Sequence, residues 1–410
     1  MTRRFYGENM DGIVIIGAGE SGTRAAFALR EAGYSRSVTL VGTEPHLPYE
    51  RPPLSKTVND AVQMKLICAA EALDAAGIAY LKGVSAIRLD TGTEMVTLSD
   101  GRALRYEKLL LTTGARPRRL TCPGAERALD FRTHADAEAI FSNIAPGRSV
   151  AIIGAGLIGM ELASVLRGKD VEVSVIEAAP KPLGRAVPAR FAEKLHARHA
   201  AEGVRFHLDR GVAAIGDDGV TLTDGSLVAA DLVVGAIGVL PETALAEAAG
   251  LATGNGILTD ICLRTSAPNV FAAGDCAAVA QPGGGHIRFE SWRNARTQAE
   301  TAARNMLGAA ENSTALPWFW SDQYDLGLQV AGRPQPAHQI ILRSIADGEL
   351  EFYLDDGRLV AAAGLGIGNS LAKDIKLAEM LIAAGISPSP VELADPGINL
   401  KTLLKSARAA

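Results

Sequence analysis

Two groups of glycines have the spacing that lets a protein backbone approach a pyrophosphate. The pattern Gly-x-Gly-x-x-Gly occurs in "GAGESG" and again in "GAGLIG". In this pattern the first glycine permits a tight turn, the second lets the backbone approach the phosphates, and the third allows close helix packing. The phosphates lie at the N-terminus of the next helix, where unpaired N–H groups and the helix dipole favour an anion. The glycines are Gly17, Gly19, Gly22, Gly154, Gly156 and Gly159.

The segments around each glycine group predict a strand–loop–helix–strand unit. Branched apolar runs, Ile13–Ile16 and Val150–Ile153, precede the glycines and are typical of strands that are buried on both faces. The first glycines of the two groups are 137 residues apart (154 minus 17), about one domain. Because two complete units are hard to explain by packing alone, we expect two nucleotide-binding sites.

Acidic residues near the second strand of each unit bear on the choice of nucleotide. Glu177 ends this strand in the second unit, about 20 residues after the glycines, where a carboxylate binds a ribose 2′-hydroxyl and repels a 2′-phosphate. The second unit therefore favours NAD over NADP, although Lys181 and Arg185 follow closely. In the first unit Gly42 occupies the strand end, and Glu44, two residues later, is a weaker candidate for an adenosine ribose.

Three further segments have the composition of ligand-holding loops. The stretch "PYERPPLSK" has three prolines in nine residues, which exclude a regular helix or a central strand and predict a stiff loop. Strand-like runs also lead into Thr113-Gly114 and into Gly274-Asp275. An acidic residue in the position of Asp275 is either a helix N-cap or a ligand for a ribitol hydroxyl, and the sequence favours neither.

Composition excludes several classes of protein. With a net charge of −5 the chain has no overall basic field for nucleic acid, and it lacks the roughly 18 consecutive apolar residues of a membrane helix. The four cysteines form no Cys-x-x-Cys pair, which argues against a disulfide framework or metal site and indicates a reducing cytoplasm. His196 and His199 are three apart on a predicted helix, and we expect them on a solvated face because no third metal ligand is evident.

Several segments together resemble one family, the FAD-dependent, NADH-dependent ferredoxin reductases of bacterial oxygenase systems, relatives of putidaredoxin reductase, rubredoxin reductase and the biphenyl dioxygenase reductase component. The resemblance covers nearly the whole chain in the right order. The matching segments are "GAGESG", "PYERPPLSK", "LLLTTGARPRRL", "GAGLIGMELA", "GAIGVLPET", "NVFAAGDCA", "ESWRNARTQA" and "PWFWSDQYDLGLQVAG".

The resemblance implies an α/β fold with two Rossmann-like nucleotide-binding domains of the glutathione-reductase type and an α+β C-terminal domain. FAD would be bound by residues 1–118 and 247–318, and NADH by residues 119–246. Residues 319–410 would close the flavin face. This last part departs from the expected pattern in one place: residues 364–368 are unusually rich in glycine and are expected to form a loop.

The resemblance also implies roles for residues of the proline-rich stretch and the second unit. Arg51, Pro53 and Lys56 would lie along the flavin, with Lys56 near its reactive nitrogen. Glu161 from the second unit's helix would pair with Lys56. This pairing is physically sensible because a cation near that nitrogen stabilises the reduced anionic ring, and a carboxylate avoids a buried unpaired charge.

Aromatic residues are given roles in the same way. Within Glu290-Ser291-Trp292 the tryptophan would lie close to the isoalloxazine and Glu290 would reach towards the nicotinamide. Trp320 would cover the face where the nicotinamide docks. By residue type alone, both tryptophans would be assigned to the core.

The leading hypothesis is a reductase that passes electrons from NADH through FAD to a small [2Fe–2S] ferredoxin, which supplies a Rieske oxygenase or a cytochrome P450. Residues 42–60 contain no cysteine, so a redox dithiol beside the flavin is not expected. Two alternatives remain: an NADH oxidase and an NADH-sensing flavoprotein, either acting without a ferredoxin. The protein would be a monomer or a homodimer.

Two cation clusters are either docking sites for an acidic ferredoxin or solvated faces. They are Arg116, Arg118 and Arg119, and Arg293, Arg296 and Arg304.

Overall fold

The structure, a computed structural model, describes residues 12–55, 57–58, 61–184, 187–314 and 316–409. The helices in these ranges are α1 Glu20–Glu31, α2 Ala70–Ala75, α3 His134–Phe141, α4 Leu157–Arg167, α5 Ala189–Ala201, α6 Ala244–Ala248, α7 Trp292–Met306, α8 Ala372–Ala383, α9 Pro390–Ala394 and α10 Leu400–Ala409. The strands are β1 Ile13–Ile16, β2 Val38–Gly42, β3 Thr57–Val58, β4 Ala61–Val62, β5 Ile78–Lys82, β6 Ala86–Asp90, β7 Met95–Leu98, β8 Ala103–Arg105, β9 Lys108–Leu111, β10 Ala115–Pro117, β11 Leu129–Asp130, β12 Ser149–Ile153, β13 Glu172–Glu177, β14 Arg205–Leu208, β15 Val212–Gly216, β16 Gly219–Leu222, β17 Leu227–Ala229, β18 Leu232–Gly235, β19 Val239–Pro241, β20 Thr253–Gly254, β21 Gly256–Thr259, β22 Val270–Ala272, β23 Ala277–Ala280, β24 His286–Ile287, β25 Trp318–Gln323, β26 Leu326–Gly332, β27 Gln339–Ile345, β28 Gly348–Asp355 and β29 Arg358–Ile367.

The chain divides into two compact units, each built from three segments. Unit 1 comprises Met1–Pro53, Met64–Arg116 and Val239–Ala315. Unit 2 comprises Leu54–Gln63, Pro117–Gly238 and Leu316–Ala410.

Unit 1 is organised around a parallel five-stranded sheet in the order β22-β9-β1-β2-β5. The branched residues of β1 are all buried, and β1 pairs in parallel with β2 on one side and β9 on the other. Helix α1 connects β1 to β2 and packs against α7. Because the carboxyl ends of parallel strands meet at one edge, the first glycine loop, Thr112 and Ala273 lie at the same edge of this sheet.

Unit 2 repeats this arrangement with a second parallel sheet in the order β11-β18-β12-β13-β14. Strand β12 occupies the position that β1 has in unit 1, between β13 and β18, and α4 connects it to β13. The predicted pair of Rossmann-like units is therefore confirmed. In each unit the buried central strand delivers its glycine loop to the carboxyl edge of the sheet, where ligands of open α/β sheets bind.

The last segment of unit 2 forms an antiparallel sheet in the order β25-β26-β29-β28-β27, with α8, α9 and α10 beside it. One face packs on α8 through Leu350, Phe352 and Ala362. The other face contributes to the same apolar cluster as the parallel sheet of unit 2. The residues that it contributes are Leu328, Val330, Tyr353, Ala361, Ala363 and Leu365. The predicted α+β C-terminal domain is confirmed in its class.

The expectation of a loop at residues 364–368 is wrong, because β29 continues through Ile367. Its glycines serve close packing instead of a turn. A Cβ on Gly364 would lie 3.1 Å from Leu371 Cδ1, and one on Gly366 would lie 2.6 Å from the Asp347 carbonyl oxygen. Glycine in a strand often marks such a close approach. In the part of the chain that the structure describes, no helix is long and apolar enough to span a membrane.

Candidate nucleotide-binding sites

The first glycine loop is shaped so that two of its glycines admit no side chain. Gly17 has φ +110°, and a Cβ there would lie 2.1 Å from the Thr112 carbonyl oxygen. A Cβ on Gly22 would lie 1.8 Å from the Gly17 carbonyl oxygen. The Thr112 hydroxyl donates to the carbonyl oxygens of Ile16 and Gly17 at 3.0 and 2.9 Å. The turn and the helix packing expected from the sequence are therefore both present.

The second loop reproduces this geometry in unit 2. Gly154 has φ +109°, and a Cβ there would lie 2.4 Å from the Ala236 carbonyl oxygen. A Cβ on Gly159 would lie 2.1 Å from the Gly154 carbonyl oxygen. The two loops thus impose the same backbone constraints on two different sheets.

The middle glycine of each loop behaves differently, and this difference indicates a ligand. A Cβ on Gly19 or Gly156 would meet no protein atom within 4 Å. Their φ values, −76° and −78°, are open to any residue. Since neither sterics nor backbone conformation of the protein requires glycine there, the open space fits a pyrophosphate that approaches the backbone closely. Both loops therefore fit a dinucleotide.

A buried polar atom lies beside the first loop. The Ser21 side chain is buried, and among the described residues its hydroxyl has no hydrogen-bond partner. It lies 3.1 Å from where a Cβ of Gly274 would be. The backbone N–H of Gly274 donates to Gln298 Oε1 at 2.8 Å. A buried hydroxyl is costly to leave unsatisfied, so this position fits a phosphate or ribitol acceptor between Ser21 and the Gly274-Asp275 segment.

The proline-rich stretch folds back on the end of β2 and holds Glu44. The Tyr49 hydroxyl donates to Glu44 Oε2 at 2.5 Å, and Arg51 Nη2 donates to Glu44 Oε1 at 2.8 Å. The Arg51 guanidinium also lies 5.5 Å from the centroid of the Tyr49 ring. Pro53 belongs to a 3₁₀ turn, Pro52–Ser55. The stiff loop thus holds Glu44, the weaker candidate by sequence, at the carboxyl edge of the first sheet.

Glu177 is held at the corresponding edge of the second sheet. Its Oε2 accepts from the backbone N–H of Ala155, between the first two glycines of the loop, at 2.8 Å. Its Oε1 accepts from the backbone N–H of Ala179 at 2.9 Å. The nearby cation Lys181 pairs instead with Glu193 at 3.0 Å, while Arg185 lies outside the described residues. A carboxylate with both oxygens fixed beside the glycine loop suits the ribose hydroxyls of NAD.

We expect Glu177→Ala to narrow the preference for NADH over NADPH about tenfold or more, because the 2′-phosphate no longer meets a fixed carboxylate. The measurement is the ratio of kcat/KM values for the two coenzymes. Glu172→Ala, at the opposite end of β13 and paired with Arg205, is the matched control. An unchanged ratio in Glu177→Ala would remove this residue from the site.

The remaining segments of unit 1 meet at the edge of its parallel sheet. The Thr113 hydroxyl donates to the Glu242 carbonyl oxygen at 2.6 Å, and the Gly114 carbonyl oxygen accepts from the Glu242 N–H at 2.9 Å. Gly274 has φ +81° and opens a 3₁₀ turn that includes Asp275. Asp275 opens no α-helix, so an ordinary helix N-cap does not account for it.

Arg288 ties Asp275 to Glu290. Its Nη1 donates to the Asp275 carbonyl oxygen at 3.1 Å, and its Nη2 lies 2.7 Å from Glu290 Oε1. Ser291 is the N-cap of α7, because its hydroxyl accepts from the Asn294 N–H at 3.3 Å. A structural role in starting the helix is thus assigned to Ser291.

Trp292 begins α7 and faces the start of α1. The Arg296 guanidinium lies 5.7 Å from the centroid of its ring. Burial raises the pKa of Glu20, while the Arg296 charge opposes this shift. An acidic residue, an arginine and a tryptophan therefore surround the entry to the first glycine loop.

In unit 2, Glu161 lies on α4 among hydroxyl donors. The Ser321 hydroxyl donates to Glu161 Oε1 at 2.7 Å, and the Ser55 hydroxyl donates to Oε2 at 3.2 Å. Lys56, its expected partner, lies outside the described residues, although Ser55 precedes it directly in the chain. Trp320, next to Ser321 on β25, stacks on Trp318 with ring centroids 5.2 Å apart.

The expectation that His199 lies on a solvated face is wrong. Its side chain is fully buried, because β25 and the turn after it cover this part of α5. Sequence analysis also missed Ser321 and Gln323, which alternate along β25 and therefore face the same side. The sequence offers no signal for them, because Ser321, Asp322 and Gln323 are consecutive polar residues that do not alternate with apolar ones. Among the described residues, no group of three or more His, Cys, Asp or Glu side chains is placed to hold a metal ion.

Comparisons with known proteins agree with this geometry. Residues 11–299 match the family model of the pyridine nucleotide-disulphide oxidoreductases, and residues 318–404 match the model described as reductase C-terminal. The chain belongs to the pyridine nucleotide-disulphide oxidoreductase family. Within it, the predicted resemblance to ferredoxin reductases, with FAD and NADH as cofactors, is confirmed by the relatives that follow.

Three relatives illustrate the similarity. The ferredoxin–NAD(+) reductase component of an anthranilate 1,2-dioxygenase system from Burkholderia cepacia is 40% identical over 96% of this chain and 99% of its own length. The crystal structure of the ferredoxin reductase for the CYP199A2 system from Rhodopseudomonas palustris has a TM-score of 0.90 at 33% identity, covering 96% of this chain and 99% of that one. The putidaredoxin reductase of a covalent complex with putidaredoxin has a TM-score of 0.89 at 31% identity, covering 98% and 100%.

Proposed function

We propose that this protein passes electrons from NADH, through bound FAD, to a small [2Fe–2S] ferredoxin that supplies an oxygenase. The observation that carries the proposal is the pair of glycine loops, each with a middle glycine whose open side leaves room for a pyrophosphate at the N-terminus of a helix. Two dinucleotide sites in one chain suit a flavin and a nicotinamide coenzyme together. Relatives that are named as reductase components of oxygenase systems support the choice of acceptor.

Residue roles follow from the described contacts. Glu44, fixed by Tyr49 and Arg51, would bind the adenosine ribose of FAD, and the Gly274-Asp275 segment would hold its pyrophosphate and ribitol. We propose accordingly that residues 1–118 and 247–318 bind FAD and that residues 119–246 bind NADH. Bound FAD would supply the conversion between a two-electron donor and a one-electron acceptor.

The polar residues of unit 2 would set the electrostatics of the reaction. Glu161 would hold Lys56 as a cation, and Trp320 would cover the nicotinamide side and exclude water. With four free cysteines in the chain and none in residues 42–60, no dithiol is needed as an intermediate carrier, and a cytoplasmic setting is part of the proposal.

For the ferredoxin, the basic cluster on α7 is the better docking candidate. Both clusters contain ion-paired arginines: Arg296 pairs with Glu300 at 3.5 Å and Arg304 with Glu311 at 2.8 Å, while Arg116 and Arg119 pair with Glu242 and Asp130, both at 3.4 Å. The α7 cluster differs in that Arg296 also lies over the Trp292 ring. A cation beside an aromatic ring that would lie near the flavin brings attraction for an acidic partner close to the electron donor.

The test is NADH-driven reduction of cytochrome c by the FAD-loaded protein, with and without a [2Fe–2S] ferredoxin from the same gene neighbourhood. We expect the ferredoxin to raise the rate at least about tenfold, because it provides the one-electron path to the cytochrome. The ferredoxin stripped of its cluster is the control. No rise, with flavin still reduced by NADH, would contradict the proposal. Rapid oxygen consumption would then indicate an NADH oxidase, and slow turnover a sensing flavoprotein.

A further inference from the structure

An unbroken row of side-chain hydrogen bonds leads to Glu161 through the interior of unit 2. The Ser321 hydroxyl lies 2.7 Å from Glu161 Oε1, and Gln323 Nε2 lies 3.0 Å from Ser321 Oγ. His199 Nε2 lies 2.9 Å from Gln323 Oε1, and the Tyr324 hydroxyl lies 3.1 Å from His199 Nδ1. Ser321, Gln323 and His199 are at most 1% exposed. The two inner bonds, Gln323 to Ser321 and His199 to Gln323, are therefore shielded from water, whereas the two end bonds are part-buried.

The chemistry of the groups sets the direction of every bond. An ionised Glu161 only accepts, so Ser321 must donate its single hydrogen to it. Ser321 can then only accept from Gln323, which requires the amide nitrogen on that side. The amide oxygen consequently faces His199, whose Nε2 must carry the hydrogen. In the neutral imidazole Nδ1 is then an acceptor, and it accepts from the Tyr324 hydroxyl.

The protonation states required by this order agree with the surroundings. Burial lowers the pKa of His199 to about 4, so its ring is neutral near pH 7. Burial raises the pKa of Tyr324 to about 12, so its hydroxyl keeps the hydrogen that it donates. Arg198, which lies over the Tyr324 ring at 4.9 Å, is itself paired with Glu202 and Asp325.

We propose that Ser321, Gln323 and His199 are positioning residues that hold Glu161 as an ionised carboxylate in one orientation. The inference rests on the proposed role of Glu161 as the partner of Lys56 at the flavin. All donors in the row point towards Glu161, so each bond polarises the next in the same sense. The last bond, from a neutral hydroxyl to a carboxylate, is the stronger, charge-assisted kind.

The row joins three parts of unit 2 that are remote in the chain. Glu161 lies on α4, His199 on α5, and Ser321 and Gln323 on β25. Removing the side chain at one end of the row should therefore reorient the side chains at the other end. The reason is that a buried hydroxyl or amide that loses its partner rotates until it forms another hydrogen bond. This coupling distinguishes an ordered row from a set of independent contacts.

The first test is the tautomer of His199, read by ¹⁵N NMR of the FAD-loaded protein labelled in histidine and assigned with His199→Gln. We expect the neutral Nε2–H tautomer alone at pH 7. A charged ring or the Nδ1–H tautomer would overturn the proposal, since either breaks the required direction. This spectrum needs neither NADH nor ferredoxin.

The second test removes one member of the row and observes another. In Ser321→Ala, Gln323 loses the acceptor that fixes its amide, so both tautomers of His199 should become populated. The control is Arg190→Gln, which breaks the ion pair between α5 and Glu349 of β28 at 2.8 Å without touching the row. This variant should keep the single tautomer. An unchanged tautomer in Ser321→Ala would contradict the coupling.

The third test connects the row to the reaction. Gln323→Leu should slow anaerobic reduction of the flavin by NADH about tenfold, the size of effect expected for the loss of one hydrogen bond, with FAD content unchanged. Arg190→Gln should leave this rate unchanged. If Gln323→Leu fails to fold, the rate of flavin reduction is measured in Ser321→Ala, for which the same slowing is expected. A normal rate would show that the row does not act on the chemistry. Since no ferredoxin is present, failure of the proposed acceptor leaves these outcomes unaffected.

Discussion

Gly156→Val is expected to weaken the use of NADH at least about 100-fold while FAD stays bound. Its backbone is extended, with φ −78° and ψ −177°, and a Cβ there meets no protein atom within 4 Å. The valine therefore costs the fold little, but it fills the space that a pyrophosphate must enter. The measurement is KM for NADH in anaerobic flavin reduction, with dithionite reduction showing that the flavin is still present and competent.

Gly19→Val should instead fold but fail to bind FAD, because the same open space beside the middle glycine occurs in the loop of unit 1. The matched control is Gly216→Val at the end of β15. It also has open space at its Cβ and no positive φ, yet it lies in no glycine loop. An ordinary KM for NADH in Gly156→Val, or loss of FAD from it, would contradict the assignment of the two loops.

Acidification from pH 7 to pH 5 is expected to cost about 2 kcal/mol of unfolding free energy through His199 alone. The unfolded chain takes up this proton near pH 6.5, whereas burial lowers the pKa of folded His199 to about 4. The stabilisation is fully present above pH 6.5. It is lost progressively as the pH falls towards 4, because only the unfolded state binds the proton in that interval.

His199→Gln should remove most of this dependence, since a glutamine can donate to Gln323 and accept from Tyr324 without titrating. The measurement is urea unfolding of the FAD-loaded protein at both pH values. His286→Gln, which replaces an exposed histidine, is the control and should keep the wild-type slope. His196 and His207, whose pKa values burial also lowers, should leave a smaller residual slope. An unchanged slope in His199→Gln would show that His199 is not the group responsible.

The charges around His199 are consistent with this interpretation. On its own helix His196 and Arg198 lower the pKa further, while Glu202 and the bond to Gln323 raise it. The turn after β25 contributes Tyr324, which stays neutral. Desolvation is the largest of these effects, so the direction of the pH dependence does not rest on any one neighbour.

Structural features that depend on residues close together in the chain could be predicted from the sequence. The two Rossmann-like units follow from branched apolar runs beside spaced glycines, because a strand buried on both faces and a tight turn each need those residues within a few positions. Tyr49 and Arg51 could also have been assigned to Glu44, since they lie only five and seven residues beyond it. The individual cofactor contacts, including the pairing of Lys56 with Glu161, stay predictions.

Features that depend on distant segments could not be predicted. His199 and Gln323 are 124 residues apart, and nothing near His199 shows that β25 covers it. The glycines of β29 were interpreted as a loop because their local composition is that of a turn. A Cβ on Gly364 would lie 3.0 Å from Leu350 of β28 and 3.3 Å from Ile375 of α8, and one on Gly366 would lie 2.6 Å from the Asp347 carbonyl oxygen. In both cases packing across the fold overrides the local pattern.

The apolar cluster shared by the two sheets of unit 2 has a consequence for synthesis on the ribosome. The parallel sheet is complete once Gly238 has been made, but the strands that cover its cluster end at Ile367, which is 129 residues later (367 minus 238). At bacterial translation speeds of about 5–20 residues per second, this interval is roughly 6–26 s. The nascent chain therefore presents an uncovered apolar surface for that time, and chaperone capacity during expression should govern the yield of this protein.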